Sequence, residues 1–158
     1  MKLSSQEEYG LRCLLQLARA GAGASLTIAD MSEREGISSP NVAKIMRLLR
    51  RAGLVKSTRG KSGGYTLARP APEVRASEVL TALGGRLFDQ EFCDRHAGVE
   101  NHCLHTRDCS IRPVLRGLQQ AIDQVLGELT LASLVGTEGD VVVTLRPRAI
   151  RLPVATRA

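Results

Sequence analysis

Three cysteines lie close together in the second half of the chain, in a stretch without a regular hydrophobic period. Cys93, Cys103 and Cys109 follow the spacing C-x9-C-x5-C. Three thiolates gathered in one loop repel one another, so they need a metal cation or a cluster to neutralise their charge. The spacing lacks the close C-x2-C pairs of zinc ribbons, which argues against structural zinc without excluding it. The pattern therefore predicts a loop that binds a metal ion or a cluster.

Nearby histidines and a fourth cysteine leave other interpretations open. His96, His102 and His105 alternate with the loop cysteines, so a Cys3His zinc site is the sharpest competitor. A thiol–disulfide switch among the three cysteines is a further alternative. Cys13 lies beside the apolar face of the first predicted helix, where a buried thiol is its expected role.

Charge is distributed unevenly along the 158 residues, whose net charge is +6. Residues 1–70 hold 12 Lys and Arg against 5 Asp and Glu, whereas residues 71–136 hold 6 against 9. A basic first half beside a mildly acidic middle indicates a module that binds a polyanion, joined to a module with another task. Aromatic residues make up only 3% of the chain, so the core must be aliphatic, which suits packed helices.

The basic half divides into three helices, predicted over residues 4–20, 27–35 and 38–52. A serine at position 4 or 5 is the expected cap of the first helix. Gly36 is expected to make a tight turn between the second and the third. Ser38 or Ser39, followed by Pro40, is a strong helix start because a capping hydroxyl precedes proline in the first turn.

Two β-prone runs follow the third helix, over residues 54–59 and 65–68. The glycine-rich stretch between them favours a hairpin. Helix, turn, helix and hairpin, in that order, form the layout of a winged helix-turn-helix. We therefore predict a mainly α fold with a small β-hairpin wing.

The face of the third helix away from its apolar stripe, together with the wing, carries the residues expected to bind DNA. Polar side chains near the helix N-terminus are expected to read base edges in the major groove. Basic side chains further along suit phosphates, and those on the wing suit the DNA backbone or an adjacent minor groove. They are Ser38, Ser39 and Asn41, then Lys44, Arg47 and Arg51, and on the wing Arg59 and Lys61.

Helical periodicity continues in the second half around the cysteine loop. A short helix is predicted over residues 76–83, and a helix of about five turns with a long apolar face over 111–129. Residues 137–158 are expected to form an extended or loosely ordered tail. No signal peptide and no apolar run approaching ~18 residues occurs, so we expect a soluble, cytoplasmic protein that has no membrane contact. No nucleophile–base pair is apparent, and we do not expect an enzyme.

Several motifs together resemble bacterial iron–sulfur winged helix-turn-helix regulators of the IscR/NsrR type. The resemblance covers about residues 1–136 and includes the three-cysteine loop that precedes a long helix. The matching stretches are MKLS at 1–4, ISS at 37–39, LRRAGLV at 49–55, RGKSGGYTL at 59–67 and LTLASLV at 129–135.

This resemblance implies a homodimer in which the long helix over residues 111–129 crosses the same helix of the partner. It also implies an iron–sulfur cluster, 2Fe–2S or 4Fe–4S, bound by the three loop cysteines and a variable fourth ligand. IscR-type members have a histidine at the position of Arg112, which cannot ligate iron. NsrR-type members use a carboxylate of the partner's first helix, where Glu8 of this sequence stands. Glu8 is therefore the favoured fourth ligand, and the loop histidines are its rivals.

The resulting hypothesis is a cluster-dependent transcriptional regulator, a repressor by analogy, that binds an inverted-repeat operator in double-stranded DNA. It would respond to nitric oxide, redox state or iron–sulfur status. A winged-helix regulator with a Cys3His zinc site or a thiol switch, and no cluster, is the alternative. The predicted organisation is a DNA-binding domain (1–72), a linker helix with the cluster-binding loop (73–110), a dimerisation helix with a short packing helix (111–136) and a tail (137–158).

Overall fold

The computed structural model describes residues 3–58, 60, 63–89, 91–96, 103, 105 and 107–145. These residues are mostly helical, with one antiparallel pair of strands, which confirms the predicted mainly α fold with a hairpin wing. In chain order the elements are α1 (Ser5–Ala20), α2 (Ile28–Glu35), α3 (Ser39–Arg51), β1 (Val55–Thr58), β2 (Gly64–Leu67), a 3-10 turn (Ala71–Glu73), α4 (Ala76–Gly84), α5 (Phe92–Arg95), α6 (Ile111–Glu128), α7 (Leu131–Leu134) and α8 (Glu138–Leu145).

Reciprocal side-chain caps start the first two helices. The Ser4 hydroxyl accepts a hydrogen bond from the Glu7 N–H, and the Glu7 carboxylate accepts one from the Ser4 N–H. Thr27 and Asp30 repeat this arrangement at α2, and hydrogen bonds from Thr27 hold the pKa of Asp30 below its ordinary value. Both starts follow from local sequence, because Ser or Thr three residues before an acidic side chain favours this box.

The connection between α2 and α3 depends on Gly36, whose φ of +64° lies in the left-handed region that favours glycine. Pro40 stands in the first turn of α3, as predicted. The prediction that a serine hydroxyl caps α3 is wrong. Ser38 is the N-cap residue, but its side chain makes no capping hydrogen bond within the described residues. The Ser39 hydroxyl instead donates to that of Ser32 (3.2 Å), which braces the turn from α2.

One aliphatic core joins α1, α2, α3, the wing and α4. The large side chains that are fully buried in it are Leu14, Leu17, Met31, Val42, Ile45, Met46, Leu49, Val55, Val74, Val79 and Leu131. Gly10 lets α1 approach α4 closely, since a Cβ there would lie 2.1 Å from a methyl group of Leu83. The buried faces of α1 and α3 are therefore fixed against each other and against α4.

The wing is held against the body of the fold by backbone pairing. Strands β1 and β2 pair in antiparallel register, with Val55 opposite Leu67 and Thr58 opposite Gly64. Leu26, just before α2, extends the pairing by exchanging two backbone hydrogen bonds with Tyr65 (3.0 and 2.8 Å). A side chain at Gly64 would clash, because its Cβ would lie 2.6 Å from the Leu26 carbonyl oxygen. The wing is thus tied to the start of α2.

Short backbone pairings also tie the end of α6 to the segment before α4. The Ala76 N–H donates to the Leu129 carbonyl and the Leu131 N–H donates to the Val74 carbonyl, each at 2.9 Å. Arg75 Nη1 donates to the Gly127 carbonyl (2.8 Å). Val74 and Leu131 are both fully buried, so the second half of the chain contributes to the core of the first.

Two segments are more ordered than the sequence predicted. The cysteine loop, expected to be irregular, contains the one-turn helix α5. The tail, expected to be extended or loosely ordered, is helical over Glu138–Leu145, while residues 146–158 lie outside the described residues. None of the helices in the described ranges combines the length and apolarity that crossing a membrane requires.

Candidate DNA interface and cysteine loop

Helix α3 has one buried face and one exposed face. Val42, Ile45, Met46 and Leu49 are buried at steps of three and four residues. The opposite face holds every predicted DNA-binding residue of this helix in an exposed position: Ser38, Ser39, Asn41, Lys44, Arg47 and Arg51. The helix therefore presents polar side chains at its N-terminal end and cations further along.

The exposed face of α3 is strongly basic. Its 13 residues include four cations and no acidic side chain. Among the described residues, no ion pair uses Lys44, Arg47 or Arg51. Unpaired cations on a single face suit the phosphates of a nucleic acid, because each neutralised phosphate releases condensed counterions.

The wing adjoins this face through Arg50, which sequence reasoning did not assign to the interface. Arg50 Nη1 donates to the Ser57 hydroxyl on β1 (3.3 Å), and the neighbouring Lys56 is exposed. For Arg50 the available sequence signal was its position off the apolar stripe of α3. The predicted wing contacts Arg59 and Lys61 lie outside the described residues.

All four cysteines are free thiols, in two different environments. Cys13 is fully buried in α1, as expected, and burial raises the pKa of its thiol to about 11. It is therefore protonated at neutral pH and poorly suited to binding a metal. Cys93, in α5, and the loop residues Cys103 and Cys109 are half-buried.

The single protomer does not gather these thiols into a ready-made metal site. Within the described residues, no three His, Cys, Asp or Glu side chains come close enough together to hold a metal ion. His96 and His105 are exposed, and His102 lies outside the described residues. An open cleft of about 660 Å³ between α5 and α6 is lined by Cys93, Arg112 and Arg116, among others. The donor types nevertheless fit an iron–sulfur cluster, because thiolates are its usual protein ligands.

Side chains of α6 hold the loop at two places. The Phe88 N–H donates to Gln119 Oε1 (3.0 Å), and Arg86 pairs with Asp123. Nearer Cys109, Arg112 Nη2 donates to the His105 carbonyl (3.2 Å). Sequence reasoning missed Gln119, although a glutamine on the inward-facing stripe of an amphipathic helix was a visible signal.

Glu8, the favoured fourth ligand, lies on the surface of α1. Its side chain is 56% exposed and pairs with Arg12 one turn later (3.4 Å). Arg12 also donates through Nε to the carboxylate of Glu35 (2.7 Å) and through Nη2 to the Glu35 carbonyl (2.6 Å). Glu8 is thus joined through Arg12 to the last residue of α2, next to the turn that leads into α3.

Helix α6 carries a second apolar stripe that faces solvent. Ile111, Val114, Leu118 and Val125 are exposed, and the half-buried Ala121 completes their steps of three and four residues. This is the a/d spacing of a coiled-coil seam. The inward stripe of the same helix consists of Leu115, Gln119, Ile122 and Leu126, which are buried or half-buried, and α6 contacts α4. The outward stripe has no covering element among the described residues.

Helix-turn-helix, hairpin wing and a cation-rich recognition face define a winged helix-turn-helix DNA-binding protein. Comparison with known proteins agrees. The family profile Rrf2, described as an iron-dependent transcriptional regulator, matches residues 3–137. The chain is 33% identical over 146 residues to the transcriptional regulator IscR of Serratia proteamaculans, covering 92% of this chain and 86% of IscR.

Solved structures give the same result. IscR from T. potens superposes with a TM-score of 0.67 at 26% identity, over 94% of both chains. The oxidized form of CymR from Staphylococcus aureus superposes with a TM-score of 0.65 at 26% identity, over 87% of this chain and 98% of CymR. This chain belongs to the Rrf2 family. It is a DNA-binding transcriptional regulator and not an enzyme.

Proposed function

We propose that this Rrf2-family regulator binds an inverted-repeat operator as a homodimer, and that an iron–sulfur cluster on its cysteine loop sets the affinity. The observation that carries the proposal is the set of three free, half-buried thiols on a loop that α6 holds at two places. Since its target is chromosomal DNA, we propose that it acts in the cytoplasm. Repression is the proposed mode.

DNA recognition is assigned to α3 and the wing. Asn41 and the two serines at the start of α3 are proposed to contact base edges, and Ser39 keeps acceptor capacity while it donates to Ser32. Lys44, Arg47 and Arg51 are proposed to bind phosphates. The Arg50–Ser57 hydrogen bond supports a fixed angle between α3 and the wing.

The homodimer is assigned to the outward stripe of α6. Exposed Ile111, Val114, Leu118 and Val125 repeat with coiled-coil spacing, and a second copy of the same helix would cover them. A two-fold dimer presents two α3 helices, which suits an inverted repeat with half-sites about 10 base pairs apart, centre to centre.

Cys93, Cys103 and Cys109 are the proposed protein ligands of the cluster. When bound, the cluster supplies a centre that reacts with oxidants and nitric oxide. The three thiols do not form a metal-binding group in the single protomer, and we propose that they would come together to hold the cluster. Glu8 of the partner subunit is the proposed fourth ligand, and its exposure supports access from a second protomer.

This fourth ligand offers a route from the loop to the DNA-binding helix. Glu8 shares Arg12 with Glu35, whose side chain is only 9% exposed, at the end of α2. We propose that engagement of Glu8 by the partner's loop withdraws it from Arg12 and leaves Arg12 to Glu35 alone. Arg12, which pairs with Glu35 beside the turn before α3, is then shared with Glu8 in one state and not in the other.

A thiol switch without a cluster is the second candidate. It is favoured by the similarity to CymR, which is known in an oxidized form, and by the free thiols of the loop. In a thiol switch, oxidation of the loop thiols changes the operator affinity, and a dithiol reductant alone should reverse that change.

The phosphate-binding role of α3 predicts a specific change in salt dependence. Arg47→Ala should weaken operator and non-specific DNA alike, because phosphates carry no sequence information. The slope of log affinity against log salt should become less negative by about 0.9 for each phosphate that is no longer neutralised, and hence by about 1.8 for a dimer. Fluorescence anisotropy across a salt series measures the slope.

Arg69→Ala is the matched control for that experiment. It removes the same charge from an exposed arginine that is already paired with Glu78. Its slope should stay close to that of the wild type. An unchanged slope in Arg47→Ala would remove Arg47 from the interface.

The cluster assignment is tested by an absorption spectrum with iron and zinc analysis on protein purified without oxygen. A brown protein with visible charge-transfer bands supports the proposal, and Cys103→Ser should lose the colour while Cys13→Ser keeps it. A colourless protein with about one zinc per chain would establish the Cys3His alternative. A colourless, metal-free protein whose affinity follows dithiol reduction would establish the thiol switch.

A further inference from the structure

Gln119 is a polar side chain in a buried position. It lies in the middle of α6, is only 6% exposed, and is the one polar residue in the buried set of the described chain. Burying an amide is unfavourable unless its donor and acceptor both find partners. The partners of Gln119 therefore indicate what the residue does.

Both ends of the Gln119 amide are engaged. Oε1 accepts from the Phe88 N–H (3.0 Å), and Nε2 donates to Asp123 Oδ1 (2.8 Å). The other oxygen of Asp123 pairs with Arg86. A backbone N–H can only donate and an ionised carboxylate can only accept, so these partners determine the orientation of the amide.

Phe88 begins the short folded segment that contains Cys93. Its ring lies 5.2 Å from that of Phe92, centroid to centroid, and Phe92 stacks on His96 at 4.2 Å. Asp89 accepts two hydrogen bonds from Arg95 (2.9 Å each), which keep the pKa of Asp89 below its ordinary value. The described residues 88, 89 and 91–96 thus form one unit, and the Phe88–Gln119 bond joins its first residue to α6.

We infer that Gln119 is a positioning residue that holds this unit, and with it Cys93, against α6. Helix α6 then has a role on each of two faces. Gln119 on the inward face holds the segment that contains Cys93, and the outward face carries the apolar stripe proposed as the dimer interface. A change in the loop at Cys93 reaches the buried side of α6 through the Gln119 amide. Only this regulatory consequence rests on the proposed function, because the anchor itself requires no cluster.

The anchor is tested by the reactivity of Cys93 in metal-free, full-length protein. Gln119→Met keeps the side-chain length but provides no acceptor for the Phe88 N–H. Local opening of this unit should become more frequent, and labelling of Cys93 by a maleimide should accelerate about tenfold, the effect of losing one hydrogen bond. Mass spectrometry of the labelled peptides separates Cys93 from Cys13, whose rate should not change.

Two further variants separate anchoring from general destabilisation. Gln120→Met changes the adjacent, exposed glutamine and should leave the Cys93 rate at the wild-type value. Gln119→Glu combined with Asp123→Asn reverses the polarity of the pair while retaining an acceptor for Phe88 and for Arg86. This double variant should restore slow labelling, whereas Gln119→Glu alone places two carboxylates together and should not.

Equal Cys93 rates in wild type and Gln119→Met would overturn the inference, as would failure of the double variant to restore slow labelling. If Gln119→Met does not fold, hydrogen exchange of the backbone amides in the wild-type protein tests the inference instead. The Phe88 N–H must then exchange slowly, and exchange at the rate of an open loop would equally overturn it. Failure of the wild type to bind iron would refute the cluster proposal and leave each of these expectations unchanged.

Discussion

In the variant Leu118→Lys, we expect the proposed dimer to dissociate and operator affinity to fall about 100- to 10,000-fold, the range over which linkage of two binding sites raises avidity. Leu118 is 51% exposed in the middle of the outward stripe of α6. A dimer would bury it against its own symmetry mate, and two lysines there would repel each other without a counter-charge. Analytical ultracentrifugation measures the molecular mass of the protein in solution. Fluorescence anisotropy with operator DNA measures the binding affinity.

Gln124→Lys is the matched control for this variant. Gln124 is exposed on the same helix but lies off the outward stripe. The substitution by lysine therefore adds the same charge outside the proposed dimer interface. It should remain dimeric and bind the operator normally. If Leu118→Lys also sediments as a dimer with unchanged affinity, the outward stripe of α6 is not the dimer interface.

The largest effect on stability is expected from Leu49→Ala. Leu49 is fully buried on the inner face of α3, where the close packing of α1 and α4 limits collapse around a cavity. The free energy of unfolding should fall by about 2–5 kcal/mol, a large part of the 5–15 kcal/mol typical of a domain. Denaturant titration at a fixed protein concentration measures the loss.

Leu48→Ala is the internal comparison for Leu49→Ala. The two leucines are adjacent on α3, but Leu48 is only half-buried, so its truncation removes less buried apolar surface. Its loss in the free energy of unfolding should be distinctly smaller. Equal losses in the two variants would contradict the assignment of the inner face of α3.

The DNA-binding half was largely predictable because its signals are local. The Ser4 cap, the turn at Gly36 and the four-residue strands are each specified within a few residues along the chain. The apolar period of α3 located its buried face, and exposure of the opposite side at Asn41 and Arg47 followed. Ser38 makes no side-chain cap, and it is the hydroxyl of the next residue, Ser39, that finds a partner across the turn, the Ser32 hydroxyl.

The cysteine loop was less predictable because its contacts are long-range. The bond between Phe88 and Gln119 spans 31 residues and that between Arg86 and Asp123 spans 37. No local periodicity marks such pairs. The position of the segment around α5 against the rest of the fold therefore comes from side chains of α6. Whether the three thiols converge on a cluster stays a prediction.

Family resemblance and residue chemistry contributed different parts of the assignment. Charge asymmetry and hairpin layout indicated DNA binding without any relative, and the family match confirms it. The choice of Glu8 as a ligand came only from the resemblance, since an exposed glutamate in the first turn of α1 is otherwise expected to interact with the helix dipole.

The pairing of residues 74–76 with residues 129–131 has a consequence for operator geometry. Two backbone hydrogen bonds and the Arg75–Gly127 bond fasten the C-terminal end of α6 to the segment before α4, and α4 packs against α1 and α3. Along this path, which lies within the described residues, hydrogen bonds and helix packing connect α6 to the recognition helix. In a dimer built on α6, the crossing angle of the two long helices would therefore determine how many base pairs separate the half-sites. A few degrees of rotation would shift the preferred spacer length without any deformation of the winged domain.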